Sequence, residues 1–151
     1  MLTMTTRPAQ AGDLSTLAEY WYDRMALIQQ LRPMALSASA QSLWQTQAQA
    51  WLHAQMPFWV VMWQTDLLGG ACALLDDATQ SARLCVWALD LHVPHKQQGA
   101  GKYLWQALRA DLQQRGVHQL WLTEAPLLAV EQAFWQSMGI RSMDKQWYLE
   151  W

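Results

Sequence analysis

The chain contains no asparagine, only two cysteines and two phenylalanines, and little charge. Charged residues make up 15% of its 151 positions and the formal net charge is −2. That leaves neither a basic stripe for nucleic acid nor an acidic, disordered tail. Cys72 and Cys85 are too few for a disulfide scaffold. They fall in neighbouring predicted strands, and a reducing, cytoplasmic setting keeps them as thiols. His53, His92, His95 and His118 show no metal-ligand spacing with each other or with cysteine, so no metal site is expected. Residues Met1 to Arg7 lack the apolar core of a signal peptide. The longest apolar runs, such as Phe58 to Trp63, are far too short to span a membrane. There are no internal repeats, low-complexity segments or linkers, and the length suits one domain, 1–151.

Tryptophan is abundant, at 11 residues. It combines a large apolar body with one N–H donor, so most of these rings are expected in the core or at an interface. A few are left to line a cleft.

Residues Thr3 to Pro8 read as an edge strand. Asp13 is placed to cap a helix from Leu14 to about Leu31, whose apolar positions Leu14, Leu17, Ala18, Trp21, Met25 and Ile28 keep a helical period. Arg32-Pro33 ends it. Ser39 is placed to cap a second helix, about Ala40 to Gln55, with Leu43, Gln47, Ala50, Trp51 and Ala54 on one face. Phe58 to Gln64 and Leu67 to Leu75 form a hairpin through Thr65-Asp66, and Gly69-Gly70 predicts a bulge or a close backbone contact. Ala82 to Val93 is a long central strand, apolar on both faces, so helices should cover both. A helix from Gly99 to Arg115 follows, stacking Leu104, Leu108 and Leu112 and capped by Gly116. Then come a strand, Gln119 to Glu124, and a short helix, Leu128 to Met138, closed by Gly139. Two last strands, Ile140 to Met143 and Gln146 to Trp151, flank an Asp144-Lys145 turn.

The junction of the central strand and third helix carries the most chemistry. A polar turn holds Gly99 and Gly101, and a helix starts at once. Glycine lets backbone N–H groups face a ligand, and the helix adds unpaired donors and the positive end of its dipole. Such a turn suits a phosphate or pyrophosphate. A Walker loop is excluded, because Gly101-Lys102 is followed by Tyr103 and no glycine lies five residues before Gly101. A dinucleotide fingerprint is excluded too: Gly99-Ala-Gly-Lys-Tyr-Leu104 lacks the third small residue.

Lys96-Gln-Gln-Gly-Ala-Gly101 resembles the Gln/Arg-x-x-Gly-x-Gly/Ala pyrophosphate loop of the GNAT superfamily of N-acyltransferases. Three further pieces resemble the same family: the hairpin Trp63 to Ala71, the alternation Leu89-x-Leu91-x-Val93, and Ala133-Phe-Trp-Gln-Ser-Met-Gly-Ile140. The order β-α-α-β-β-β-α-β-α-β-β is also that of the family. The resemblance implies an α/β (α+β) fold: a central mixed, mostly antiparallel twisted sheet of about six to seven strands with four helices. It implies acetyl-CoA as co-substrate, a primary amine of a small molecule or peptide as acceptor, and direct attack in a ternary complex.

By the same resemblance, backbone groups of Gln98, Gly99, Ala100, Gly101, Lys102 and Tyr103 hold the pyrophosphate. Lys96 or Lys102 adds charge, and the backbone at Leu91 and Val93 pairs with the pantetheine amides. The fourth and fifth strands splay apart around the thioester. The family's usual tyrosine acid aligns with Trp135, its frequent asparagine with Leu128, and its usual strand glutamate with Cys85 or Trp87. That leaves Asp90 and Glu124 as candidate bases, and Tyr148 or Tyr103 as candidate acids. In the first two helices, Tyr22 and Trp44 lie off the apolar stripes and are candidate acceptor contacts. The missing helpers keep open a second reading, a non-catalytic acyl-CoA sensor or assembly module. A Trp-rich interaction domain that binds no CoA is the third. The aromatic C-terminal strand, read as a terminal edge, predicts a homodimer through this strand, the last helix or both, unless Trp147 and Trp151 fold onto their own core.

Overall fold

A computed structural model describes residues 3–31, 37–92, 99–123, 126 and 128–151. Among these, seven strands and four helices run in the expected order: β1 (Met4–Pro8), α1 (Leu14–Leu31), α2 (Ala40–His53), β2 (Phe58–Trp63), β3 (Asp66–Asp76), β4 (Ser81–Leu89), α3 (Ala100–Gln114), β5 (Gln119–Leu122), α4 (Ala129–Ser137), β6 (Arg141–Met143) and β7 (Gln146–Glu150). The strands form one sheet in the order β1-β2-β3-β4-β5-β7-β6. Every neighbouring pair is antiparallel except β4 with β5.

Helices cover both faces, as the apolar character of β4 requires. On one side α1 packs Leu14, Leu17 and Ala18 against Val60, Cys72, Val86 and Ala88. On the other, Leu104, Leu108 and Leu112 of α3 are fully buried against Val61, Ala71, Leu120 and Leu149. A ring chain continues that second core: Trp87 lies 4.8 Å from Trp135, Trp135 lies 5.9 Å from Trp105, and Trp105 lies 5.5 Å from Trp151. Much of the unusual tryptophan content is spent here, between α3, α4 and the sheet.

Several local expectations change. Asp13 does not cap α1. It ends a 3-10 turn, Ala11–Asp13, where its carboxylate accepts the Gln10 N–H at 2.8 Å and a bidentate pair from Arg7 at 2.8 and 2.9 Å. Ser39 makes no side-chain cap bond to α2. The buried face of α2 carries Trp44 and Ala48, whereas Leu43 is 65% exposed. An Ala- and Gln-rich helix gives periodicity little to grip. Here Trp44 decides the face by stacking on Trp21 at 5.8 Å.

Gly69-Gly70 behaves as expected. Gly69 pairs with Val61 and Leu67 with Met62, so Leu68 bulges out of the ladder. A Cβ on Gly69 would stand 2.6 Å from the Ala88 carbonyl oxygen, and one on Gly70 2.9 Å from the Leu17 methyls. β7 is not the edge that the sequence suggested: it lies between β5 and β6, and β6 is the outer strand. The hairpin closes through Asp144 and Lys145, both at positive φ, which suits its two-residue turn.

Candidate active site

β4 and β5 stay together for only three residue pairs, Ala82 with Leu120, Arg83 with Trp121 and Leu84 with Leu122. Two local features end the pairing. On β4, Cys72 faces Val86 and Ala73 faces Leu84, so Cys85 is a bulge residue without a ladder partner. On β5, the Thr123 hydroxyl donates to the Leu84 carbonyl, which occupies an acceptor that a longer β5 would have used. Beyond this point the β4 edge has no β5 partner among the described residues.

A cavity of about 180 Å³ opens at this divergence. Its floor is the β4 segment Leu84 to Trp87, with Leu122 and Thr123 on the β5 side. Met25 and Ile28 of α1 reach it from one face of the sheet, and Trp135 of α4 from the other. Its charged lining residues, Arg24 and Glu131, bond each other across it: Arg24 Nε donates to Glu131 Oε2 at 2.7 Å and Nη2 to Oε1 at 2.8 Å. Sequence reasoning missed this pair. Arg24 flanks the apolar stripe of α1 beside Met25, and Glu131 sits in the first turn of α4. Nothing local to either residue announces a partner 107 positions away.

The cavity also holds a thiol. Cys85 is half-buried and donates to the Cys72 carbonyl at 3.3 Å. Cys72 is fully buried, and the adjoining Cys85 thiol together with burial pushes its own thiol far above the ordinary range.

The glycine turn adjoins this opening. Gly99 has φ +85°, a left-handed conformation that favours glycine. It is the N-cap of α3, and its carbonyl accepts the first helical bond, from the Tyr103 N–H at 3.0 Å. The N–H groups of Ala100, Gly101 and Lys102 therefore have no intrahelical partner. Gly101 is glycine for a different reason. A Cβ there would lie 3.2 Å from Phe134 and 3.4 Å from Trp87. The second glycine thus seats the helix start on the aromatic rings that flank the opening.

The remaining predicted residues are placed as follows. Lys102 and Tyr103 lie in the first turn of α3, with Tyr103 48% exposed. Leu91 is in a turn, because β4 ends at Leu89 instead of running to Val93. Asp90 makes that turn by accepting the His92 N–H at 2.9 Å, and it does not line the cavity. Tyr148 packs at a tilt against Trp121, ring centroids 4.8 Å apart, on the sheet face away from α3, also outside the cavity lining. Tyr22 is half-exposed on α1, and Trp44 is in the core. Val93, Lys96, Gln98 and Glu124 lie outside the described residues. No cluster of three His, Cys, Asp or Glu side chains suits a metal, and no helix is long and apolar enough to cross a membrane, among the described residues.

Comparison with known proteins agrees with this geometry. Among solved structures, an N-acetyltransferase, PaiA, from Thermoplasma acidophilum in complex with coenzyme A superposes with a TM-score of 0.75 at 14% identity, covering 99% of each chain. YncA of Salmonella typhimurium, a putative acetyltransferase solved with acetyl-CoA, gives 0.71 at 16% identity over 97% of this chain and 93% of that one. The ribosomal-protein-S18-alanine N-acetyltransferase of Escherichia coli gives 0.65 at 18% identity over 97% and 90%. These likenesses show a shared fold. A sequence search of curated proteins finds none that matches. The sequence profile of the Acetyltransferase (GNAT) family matches residues 21–140, most of the chain, and the chain belongs to that family.

Proposed function

We propose that the protein transfers an acetyl or related acyl group from its CoA thioester to a primary amine, by direct attack in a ternary complex. The divergence of β4 from β5, with a cavity at the gap and a glycine-started helix beside it, is the observation that carries this reading. The residues fit the ligand. The N–H groups at the start of α3 that lack an intrahelical partner suit the pyrophosphate, with Lys102 adding charge from the same turn and Lys96 from three positions before Gly99 in the sequence. The β4 edge from Cys85 to Leu89, which has no β5 partner among the described residues, suits the pantetheine amides as a substitute strand, in place of Leu91, which lies in a turn.

Bound CoA would supply a thiolate leaving group, which is stable enough near neutral pH to need little help from an acid. Trp135, buried where the family's tyrosine acid aligns, offers shape and an indole N–H but no transferable proton. For the base we favour Glu124, which directly follows the cavity residue Thr123 in the chain, over Asp90, whose carboxylate already holds a turn. The reducing setting that keeps Cys72 and Cys85 as thiols belongs to the same reading.

Thiol release from acetyl-CoA across a broad amine panel tests the proposal, with Glu124→Gln expected to lower kcat far more than acetyl-CoA affinity. The tryptophan at the acid position favours one competitor, an acyl-CoA sensor of the same fold. Tight CoA binding without turnover on any amine would select it.

A further inference from the structure

We infer that Arg24 and Glu131 recognise the acceptor, and that the acceptor carries a carboxylate close to its amine, as a free α-amino acid does. The inference rests on the acyltransferase reading and names its substrate class. The pair joins α1, on one face of the sheet, to α4, on the other, across the cavity where β4 and β5 part. The side chains are 22% and 10% exposed, so both charges are largely withdrawn from water yet open to the cavity.

The bond pattern leaves specific capacity. The two hydrogen bonds use Nε and Nη2 of Arg24 and one lone pair on each Glu131 oxygen. A guanidinium has five N–H donors, and a carboxylate has about four lone-pair sites. Among the described residues Nη1 is therefore available for a further carboxylate, and Glu131 for a further ammonium, without opening the pair.

Matching of donors and acceptors then selects the ligand. The pair is neutral as a unit and sits among Met25, Ile28, Val86, Leu122, Cys85 and Thr123. A simple alkylammonium meets Glu131 but leaves the remaining Arg24 donor without an acceptor, and a buried donor left unmade is costly. An amino-acid zwitterion satisfies the residual donors of Arg24 and acceptors of Glu131 together. A site built to bond a polar group also penalises analogues that lack it, because its own groups are then left unpaired.

The decisive measurement compares amino acids with their decarboxylated counterparts, leucine against isopentylamine and phenylalanine against phenethylamine. Calorimetry of the full chain, with and without CoA, reads binding without any acyl donor. The expected result is heat for the amino acids and an affinity at least about tenfold weaker for the amines. With acetyl-CoA present, the same preference should appear in kcat/KM, and Arg24→Met should raise KM for the amino acids more than it lowers kcat. If Arg24→Met fails to fold because it strands Glu131, the apolar double variant Arg24→Met/Glu131→Leu removes both charges together. That variant should still bind acetyl-CoA and should no longer prefer amino acids. Equal binding of amines and amino acids, no heat with either amino acid, or a preference that survives in the double variant overturns the inference. Binding of amino acids by a protein that ignores acetyl-CoA would instead overturn the acyltransferase reading, and with it the acceptor role, leaving the pair as an amino-acid-binding site only.

Discussion

Gly101 and Phe134 are in such close register that a single methyl on the glycine would stand 3.2 Å from the phenylalanine ring. Gly99, two residues earlier, has open space for a Cβ, its nearest neighbour being Tyr103 at 3.8 Å, but holds φ +85°. Alanine at the two positions should therefore fail differently. Gly101→Ala should cost about 1 kcal/mol by overpacking, recovered when Phe134 is trimmed to leucine. Gly99→Ala should cost about 1–2 kcal/mol through its left-handed backbone, whatever stands at position 134. Denaturant unfolding of the two single and two double variants distinguishes these causes. Equal recovery by Phe134→Leu in both would show that the glycines share one role.

Cys85 should be the reactive thiol and Cys72 the inert one. Cys85 is half-buried and lines the cavity, whereas Cys72 is fully buried with its thiol held protonated far above neutral pH. Alkylation with iodoacetamide should modify Cys85 first, and acetyl-CoA should slow that reaction severalfold. Peptide mapping by mass spectrometry checks both statements. Modification at an unchanged rate in saturating acetyl-CoA would place the thioester elsewhere.

What the sequence revealed and what it concealed divide along a physical line. The order of elements, the α1 stripe, the Leu104-Leu108-Leu112 stack and both positive-φ helix ends at Gly116 and Gly139 come from signals within a few residues. The glycine turn was legible because its chemistry is local to the backbone. The face of α2 was misread because Leu43 and Trp44 are adjacent alternatives, and only Trp21, from another helix, chooses between them. The Arg24–Glu131 bridge, the Cys85 bulge and the closing role of Thr123 depend on how distant strands meet. Each of those residues reads as unremarkable polar or apolar sequence. β7 read as an edge because it comes last in the chain, but β6 folds back outside it.

Tyr20 gives the fold an alkaline limit. Its hydroxyl donates to the Leu67 carbonyl at 2.6 Å, and burial, reinforced by the negative charge of Asp90, pushes it from 10.0 up to about 12. The neutral hydroxyl is favoured in the folded state, so its contribution is complete below pH 10 and is lost as pH rises toward 12. The urea midpoint should fall over that window, and Tyr20→Phe should flatten this part of the profile. An unchanged slope in Tyr20→Phe would assign the alkaline loss to other groups.

Removing Gln146 to Trp151 should unfold the monomer and not merely separate subunits. β7 pairs on both sides, Leu149 is 4% exposed, and Trp151 packs on Trp105 with Arg109 over its ring. Loss of one large buried aromatic alone costs about 3–5 kcal/mol. Trp147 and Trp151 pack on the chain's own core, which removes the ground on which the C-terminal strand predicted a homodimer and leaves the exposed β6 edge, Arg141 to Met143, as the place where two sheets would join. Light scattering of the intact chain and of a Ser142→Pro variant tests that edge. A dimer that ignores the proline, or a truncated chain that stays folded and soluble, contradicts it.

Calorimetric titration of the intact protein with acetyl-CoA tests the central claim most directly, run beside Gly99→Glu. The account predicts micromolar binding to the native chain and none to the variant, whose side chain and negative charge would fill the phosphate position at the start of α3. No heat and no thermal shift with acetyl-CoA, propionyl-CoA or free CoA, or undiminished binding by Gly99→Glu, would contradict it.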